Sequence, residues 1–383
     1  MNKRKLSVLI CLILAVAMIS SACASPANTT PSEPTPPQST EPSGTNAKGI
    51  PASDIKAGFL YVGPIGDEGY SYAHDQGRLA LEQTLGVKTV YLENVPENAD
   101  CEKAIRDLID QGCNVIYATS FGHMEWIANV AKEFPDVYFG HATGYMFGDN
   151  LSCYMGRIEE PRYLSGIAAG MKTKSGKIGY VAAMPIAEVV RGINAFTLGV
   201  RSVNPDATVQ VLWTNSWYDP SMEKSAAIEL INGGCDVIAQ HCDSTGPQIA
   251  AQENGVFAVG YNAPTYEAAP QAYLTAPLFH WGAYYIHDVQ NIIDGTRTAE
   301  NYWEGMKSGI VDIDEISQNC AEGTKEAVDK AKADIENGTL TVFAGPIKDQ
   351  SGEVKIKEGE SMTDEQQASC DWFVEGVIGS IPK

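Results

Sequence analysis

Lys56-Ala57-Gly58-Phe59-Leu60, running on to Pro64-Ile65, returns in closely similar form as Lys177-Ile178-Gly179-Tyr180-Val181, running on to Pro185-Ile186, at a shift of 121 residues. Further along, Leu108-Ile109-Asp110-Gln111-Gly112-Cys113-Asn114-Val115-Ile116 is echoed by Leu230-Ile231-Asn232-Gly233-Gly234-Cys235-Asp236-Val237-Ile238, at a shift of 122. Each copy reads as a short apolar strand, a polar loop rich in Gly and Pro, a helix, a second strand, a second helix and a third strand. Periods of roughly 20–50 residues mark solenoids, whereas a single repeat this long marks two similar globular lobes. The fold class is therefore α/β, with two Rossmann-like lobes joined by a hinge, and a cleft between such lobes suits ligand capture by closure. The pattern assigns residues 51–174 to an N-terminal lobe and 175–300 to a C-terminal lobe. Residues 301–383 are expected to cross the hinge and return to the first lobe.

Ahead of the lobes, Lys3-Arg4-Lys5 precede an apolar run from Leu6 to Ile19, then Ser20-Ser21-Ala22-Cys23. A basic start, a short apolar run and small residues describe a secretory signal over residues 1–22 rather than a membrane span. Cys directly after Ala22 points to a bacterial lipoprotein with Cys23 as the lipid attachment site, although Ser20 stands where the usual motif has Leu. Residues 23–50 are mostly Ser, Thr, Pro, Ala, Asn and Glu, which read as a tether with almost nothing to bury. The expected location is the extracytoplasmic face of a bacterial cell membrane.

Removing the three positive charges of the signal takes the formal net charge from −21 to −24. A chain this acidic is ill-suited to nucleic acid, because phosphate binding needs clustered Lys and Arg. Beyond Cys11 and Cys23, the seven remaining cysteines are odd in number and irregularly spaced, which is no disulfide framework. Cys113 and Cys235 open matching apolar strands and read as small core residues. No C-x-x-C pair occurs, and no metal site or cofactor is expected.

Three stretches approach enzyme motifs and miss. Gly63, Gly66 and Gly69 give G-x-x-G-x-x-G instead of the dinucleotide spacing. Gly170 to Lys177 has one residue too many for a phosphate loop, and Ile178 replaces the metal-binding Ser or Thr, so Lys174-Ser175-Gly176-Lys177 reads as a turn. His74-Asp75 diverge by about 100° on a helix and read as helix-surface polarity rather than a proton relay. No catalytic constellation is expected, and the chain is read as a binding protein rather than an enzyme.

In open parallel sheets ligands bind beyond the carboxyl ends of the strands. After the first strand come Gly63 to Tyr72, including Asp67, Tyr70 and Ser71. After the third come Thr119, Ser120, Phe121 and Gly122. In the second copy, Trp217-Tyr218-Asp219-Pro220 follow one strand, His241-Cys242-Asp243-Ser244 another, and Tyr261-Asn262 a third. Tyr70 and Trp217 offer one aromatic per lobe, and a flat ligand between two rings gains roughly 0.5–1.5 kcal/mol from stacking beyond area burial. Position alone does not separate that role from ordinary rim or core aromatics. Asp219 before Pro220 also fits a helix N-cap ahead of Ser221–Leu230, and Asp67 fits a loop or cap residue.

Gly156-Arg157 through Glu160, Tyr163-Leu164-Ser165-Gly166, Ala168-Ala169-Gly170-Met171, Thr173 through Val181, Gly192-Ile193-Asn194-Ala195-Phe196, Asn204-Pro205 and Trp217-Tyr218-Asp219-Pro220 together resemble the basic membrane protein family of solute-binding lipoproteins, the group containing the purine nucleoside receptor. The resemblance implies a type I periplasmic-binding-protein fold, an ABC permease as partner in the membrane, and a purine base or nucleoside as ligand. By position, Tyr70 and Trp217 resemble the aromatics that stack on the two faces of the base. Asn262 falls where nucleoside-binding members carry an Asp that grips ribose, and His141 falls near a second such Asp. Both departures, with the pattern from Gly69 to Gly77, favour a bare nucleobase such as adenine. Glu188 and Asp243, just past strand ends, would accept hydrogen bonds from an exocyclic amine or stand as solvated loop acids. Ser71 and Ser120 complete the candidate site. A sugar- or amino-acid-binding protein of the same fold, with Arg191 as the cation for an amino acid, and a membrane-anchored sensory protein remain as alternatives.

Overall fold

The computed structural model describes residues 49–382; the expected signal, Cys23 and nearly all of the tether lie outside them. The strands of the repeat are β1 (Lys56–Leu60), β2 (Lys88–Leu92), β3 (Val115–Ala118), β4 (Tyr138–Ala142) and β5 (Leu151–Gly156), then β6 (Lys177–Ala182), β7 (Thr208–Trp213), β8 (Val237–His241) and β9 (Phe257–Ala258). Shorter strands follow: β10 (Pro277–Phe279), β11 (Asn301–Glu304), β12 (Val311–Ile313), β13 (Ile347–Lys348), β14 (Val354–Ile356) and β15 (Val377–Ile378). The interleaved helices are α1 (Tyr70–Leu85), α2 (Asp100–Asp110), α3 (Met124–Glu133), α4 (Glu159–Lys172), α5 (Ala187–Val203), α6 (Pro220–Asn232), α7 (Gly246–Glu253), α8 (Gly282–Asp294), α9 (Thr324–Glu336) and α10 (Asp364–Ala368).

Two large sheets result, ordered β2-β1-β3-β4-β5-β11 and β9-β8-β6-β7-β15, with every neighbouring pair in them parallel, and β10-β12 and β13-β14 form two small antiparallel pairs. Parallel strands are covered on both faces, which is why β1, β3, β6 and β8 are nearly continuous apolar runs. In the first lobe α1 and α8 cover one face and α2 and α3 the other; in the second, α4 and α5 lie opposite α6 and α7. The repeat is visible in its fastenings. Asn114 Oδ1 accepts from Lys56 N at 3.0 Å, and the equivalent Asp236 carboxylate accepts from Lys174 N at 2.7 Å and Ser175 N at 2.9 Å. The Lys174–Lys177 segment is thus a turn pinned by Asp236, as its spacing predicted. Cys113 and Cys235 are buried at matching positions, and burial pushes each thiol up to about 11.

The C-terminal path differs from the sequence expectation in two ways. Helix α8 packs on α1 and β11 pairs with β5, so the chain is back in the first lobe well before residue 301. The tail then runs the other way, with Phe343, Ile347, Phe373 and Val377 joining the second lobe's core and β15 pairing with β7. The physical reason is that β7 would otherwise present an unpaired edge. Its covering residues are spread over short apolar runs that carry no periodicity of their own.

His74 and Asp75 are also not on the surface. Because α1 lies against α8, both are buried: His74 stacks on Trp281 with ring centroids 4.2 Å apart, while Asp75 pairs with Arg78 at 2.6 Å. They face different partners and form no relay. Helix α8 is tied to the first sheet by a buried ion pair, Arg297 Nε to Asp288 Oδ1 at 2.8 Å, with Tyr117 Oη donating to Asp288 at 2.8 Å. Among the described residues no helix is long and apolar enough to cross a membrane.

Candidate ligand-binding cleft

The loops beyond the carboxyl ends of the strands meet around a cavity of ≈ 350 Å³. The first lobe contributes Val62, Tyr70, Ser120, Phe121 and Thr143. The second contributes Glu188, Trp217, His241, Asp243 and Tyr261.

Tyr70 begins α1, and that start is set by Asp67, whose carboxylate accepts from the backbone N–H of Gly69 and Ser71 at 2.8 Å and of Tyr72 at 3.0 Å. Asp67 therefore takes the loop and cap role. Tyr70 Oη donates to the Thr119 carbonyl at 2.5 Å, and its ring stands edge-on to His74 and Trp281 at 4.5 and 6.0 Å. The ring is thus held in one orientation, with Trp281 itself stacked between His74 and Phe279. Trp217 projects from the opposite lobe, and its carbonyl accepts from Asp243 N at 3.0 Å. Asp219 caps α6 through Met222 N at 2.9 Å, with Pro220 at the first helical position.

The two carboxylates sit in different fields. Glu188 lies in the first turn of α5, which suits an anion. Burial works to raise its carboxyl, but the His241 hydrogen bond and the charges of Arg191 and Arg162 outweigh this and hold it below the ordinary range. His241 Nε2 lies 3.5 Å from Glu188 Oε1 and 3.1 Å from Tyr261 Oη. Burial, reinforced by Arg162, pushes this imidazole down to about 4, so it is neutral at pH 7. Asp243 is the reverse: burial, with Asp67, Glu223 and Glu188 adding like charge, drives its carboxyl well above the usual range. One edge of the cavity therefore carries an ionised acceptor and the other a carboxyl that is readily protonated.

The lobes touch here. A Cβ on Gly69 would lie 2.2 Å from the Asp243 carbonyl oxygen, so only glycine permits this approach. Thr245 Oγ1 also donates to Glu68 Oε2 across the cleft at 3.4 Å.

Of the residues singled out from sequence, Tyr70, Ser120, Glu188, Trp217 and Asp243 share the cavity wall. Three stand behind it. Ser71 Oγ accepts from Gly63 N at 3.2 Å and braces the loop. His141 Nε2 bonds the Ser120 carbonyl at 2.8 Å. Asn262, at φ 69°, donates from Nδ2 to Asp243 Oδ1 at 3.3 Å. Sequence reasoning passed over Thr143, at φ 65° just after β4, although the strand-end rule points there. It also passed over Arg162, which is fully buried on α4 with its guanidinium 3.7 Å from the centroid of Tyr261.

Two doubly wound lobes closing on a small cavity, with an aromatic from each, define the type I periplasmic-binding-protein fold. The chain belongs to the Bmp family, described as ABC transporter substrate-binding protein PnrA-like, whose sequence model matches residues 55–342. It is 43% identical over 331 residues to "Purine-binding protein BAB2_0673" of Brucella abortus, covering 86% of this chain and 94% of the relative. It is 42% identical to "Putative ABC transporter glucose-binding protein TsgA13" of Haloferax volcanii, covering 86% and 81%. A solved solute-binding protein of an ABC transporter system from Aeropyrum pernix K1 shares the fold at TM-score 0.66 and 20% identity, over 76% of this chain and 94% of that one. Membership of this family makes a small-molecule solute and an ABC permease the partners.

Proposed function

We propose that this protein captures a purine base, with adenine favoured, for an ABC importer, and is held to the membrane by a lipid on Cys23. The observation that carries the reading is the meeting of Tyr70 and Trp217, one from each lobe, on a single cavity edged by Glu188 and Asp243. The base stacks between the two rings. Glu188 accepts from an exocyclic amine, and a protonated Asp243 donates to a ring nitrogen. A pocket must satisfy that edge, since a buried donor or acceptor left unpaired costs about 1–3 kcal/mol. The ligand undergoes no chemistry; closure presents it to the permease. The purine-binding relative in Brucella supports the ligand class, and Asn262 supports a base over a nucleoside, since the residue at the position matched to ribose recognition bonds Asp243 instead.

A second reading, a sugar, is favoured by the relative described as a glucose-binding protein. An amino acid fits less well, because Arg191 is already engaged by Glu159 at 3.4 Å and by the Gln367 carbonyl at 3.0 Å. Thermal unfolding of residues 48–383 against bases, nucleosides, sugars and amino acids separates these. A true ligand at a hundredfold excess over its dissociation constant stabilises by about 2.7 kcal/mol. A larger shift with adenine than with adenosine or glucose is expected; a shift with glucose alone would overturn the purine reading.

A further inference from the structure

Beside the ligand cavity lies a second chamber of ≈ 690 Å³, and the two share Phe121, Thr143 and Glu188 as a common wall. Beyond that wall the chamber is bounded by Met155, Ile186 and Trp303. Its one cation, Arg191, already has partners. Besides Glu159 and Gln367, its guanidinium lies 4.8 Å from the centroid of Trp303, on which Arg157 also packs at 4.7 Å. The side presented to the chamber is therefore mainly aromatic and aliphatic. Its rim includes Tyr145, Asn301 and Ala368, all exposed, so the chamber communicates with solvent.

Glu188 is what connects the two spaces. An exocyclic amine hydrogen-bonded to this carboxylate spends one N–H on it and keeps a second valence, and Glu188 belongs to the wall that the two spaces share. A secondary amine retains that N–H and carries a substituent instead of the second hydrogen. We propose that the chamber receives an alkyl or aryl arm on the exocyclic amine of an aminopurine, so that N-substituted aminopurines are ligands of this protein. The inference rests on the purine reading above and extends it. A ribose does not serve as the arm here. Asn262, the position matched to ribose recognition, bonds Asp243 and is absent from this chamber's wall.

Calorimetric titration of the full chain with adenine, N6-benzyladenine and adenosine tests this. The expected result is N6-benzyladenine binding at least tenfold more tightly than adenine. Ala368→Trp, at the exposed rim, fills the chamber and should abolish that gain while leaving adenine within twofold of wild type. Ala187→Leu provides a second filling variant, and a thermal melt confirms that each is folded. Benzyladenine binding no better than adenine, or a gain insensitive to both variants, would overturn the inference while leaving the purine reading intact. A gain with adenosine alone would also overturn it. Binding of none of the three would overturn the purine reading, and the inference with it.

Discussion

Gly69 is the point at which lobe closure can be tested by one methyl group. A Cβ there would lie 2.2 Å from the Asp243 carbonyl oxygen and 3.0 Å from its carbonyl carbon, both backbone atoms that cannot rotate away. The lobes of Gly69→Ala must part slightly to relieve the overlap, and overpacking of this kind costs about 1–3 kcal/mol. An open, ligand-free form does not feel the clash, so the cost falls on the closed, ligand-bearing form. At 1.4 kcal/mol per tenfold, ligand affinity should drop about 5- to 150-fold. The ligand-free melting temperature should fall by only about 2–4 °C, from the poorer helix cap. Gly66 in the same loop is the control, because nothing lies within 4 Å of its would-be Cβ. Calorimetric titration of both variants reads the difference. Affinities of Gly69→Ala and Gly66→Ala that agree within twofold would refute the idea that this contact belongs to the liganded state.

Other outcomes follow from buried charge. His141 and His241 are each pushed down to about 4 by burial, whereas unfolded histidine titrates near 6.5. The unfolded chain therefore binds these protons first, so stability is full above pH ~6.5 and is lost as pH falls toward 4, by roughly 3 kcal/mol per histidine. Denaturant melts between pH 7 and 4.5 should show that slope, and His141→Gln should make it shallower. Asp243, raised by burial and by neighbouring acids, has the opposite sign. The native state holds its proton where the unfolded state has released it, so this group costs stability as pH rises above ~4. Asp243→Asn should accordingly melt higher than wild type at pH 7, and a lower melting temperature would contradict the assignment. Arg297→Met should destabilise by about 3–5 kcal/mol by leaving buried Asp288 unpaired, and adding Asp288→Asn should recover part of the loss in urea unfolding.

Much of this arrangement is legible in the sequence because the repeat is written in local patterns. The strand cores around Phe59 and Tyr180, the turns at Cys113 and Cys235, and the Asp219-Pro220 cap all depend on residues close in the chain. The strand-end rule then reached eight of the ten residues of the cavity wall, all but Val62 and Thr143. What it could not find depends on distant contacts. Nothing near His74 announces that α8 will cover it, and the tail's apolar residues acquire meaning only from the open edge of β7. Ser71 at the start of α1, His141 at the end of β4 and Asn262 beyond β9 lie near the cleft yet serve backbone and side chains behind the wall. Side-chain direction in a loop with positive φ, as at Asn262 and Thr143, does not follow from periodicity. Arg162 reaches the site from a helix in the linking region, where no strand-end rule applies.

The most direct measurement is the calorimetric titration of adenine into the wild-type protein and into Trp217→Ala, with folding of the variant confirmed by its melt. Stacking of a base on an aromatic side chain is worth about 1–3 kcal/mol by alanine substitution. The account predicts measurable adenine binding that weakens about 5- to 150-fold in the variant. Unchanged adenine affinity in a folded Trp217→Ala protein would contradict the claim that the two lobes clasp a purine between their aromatic rings.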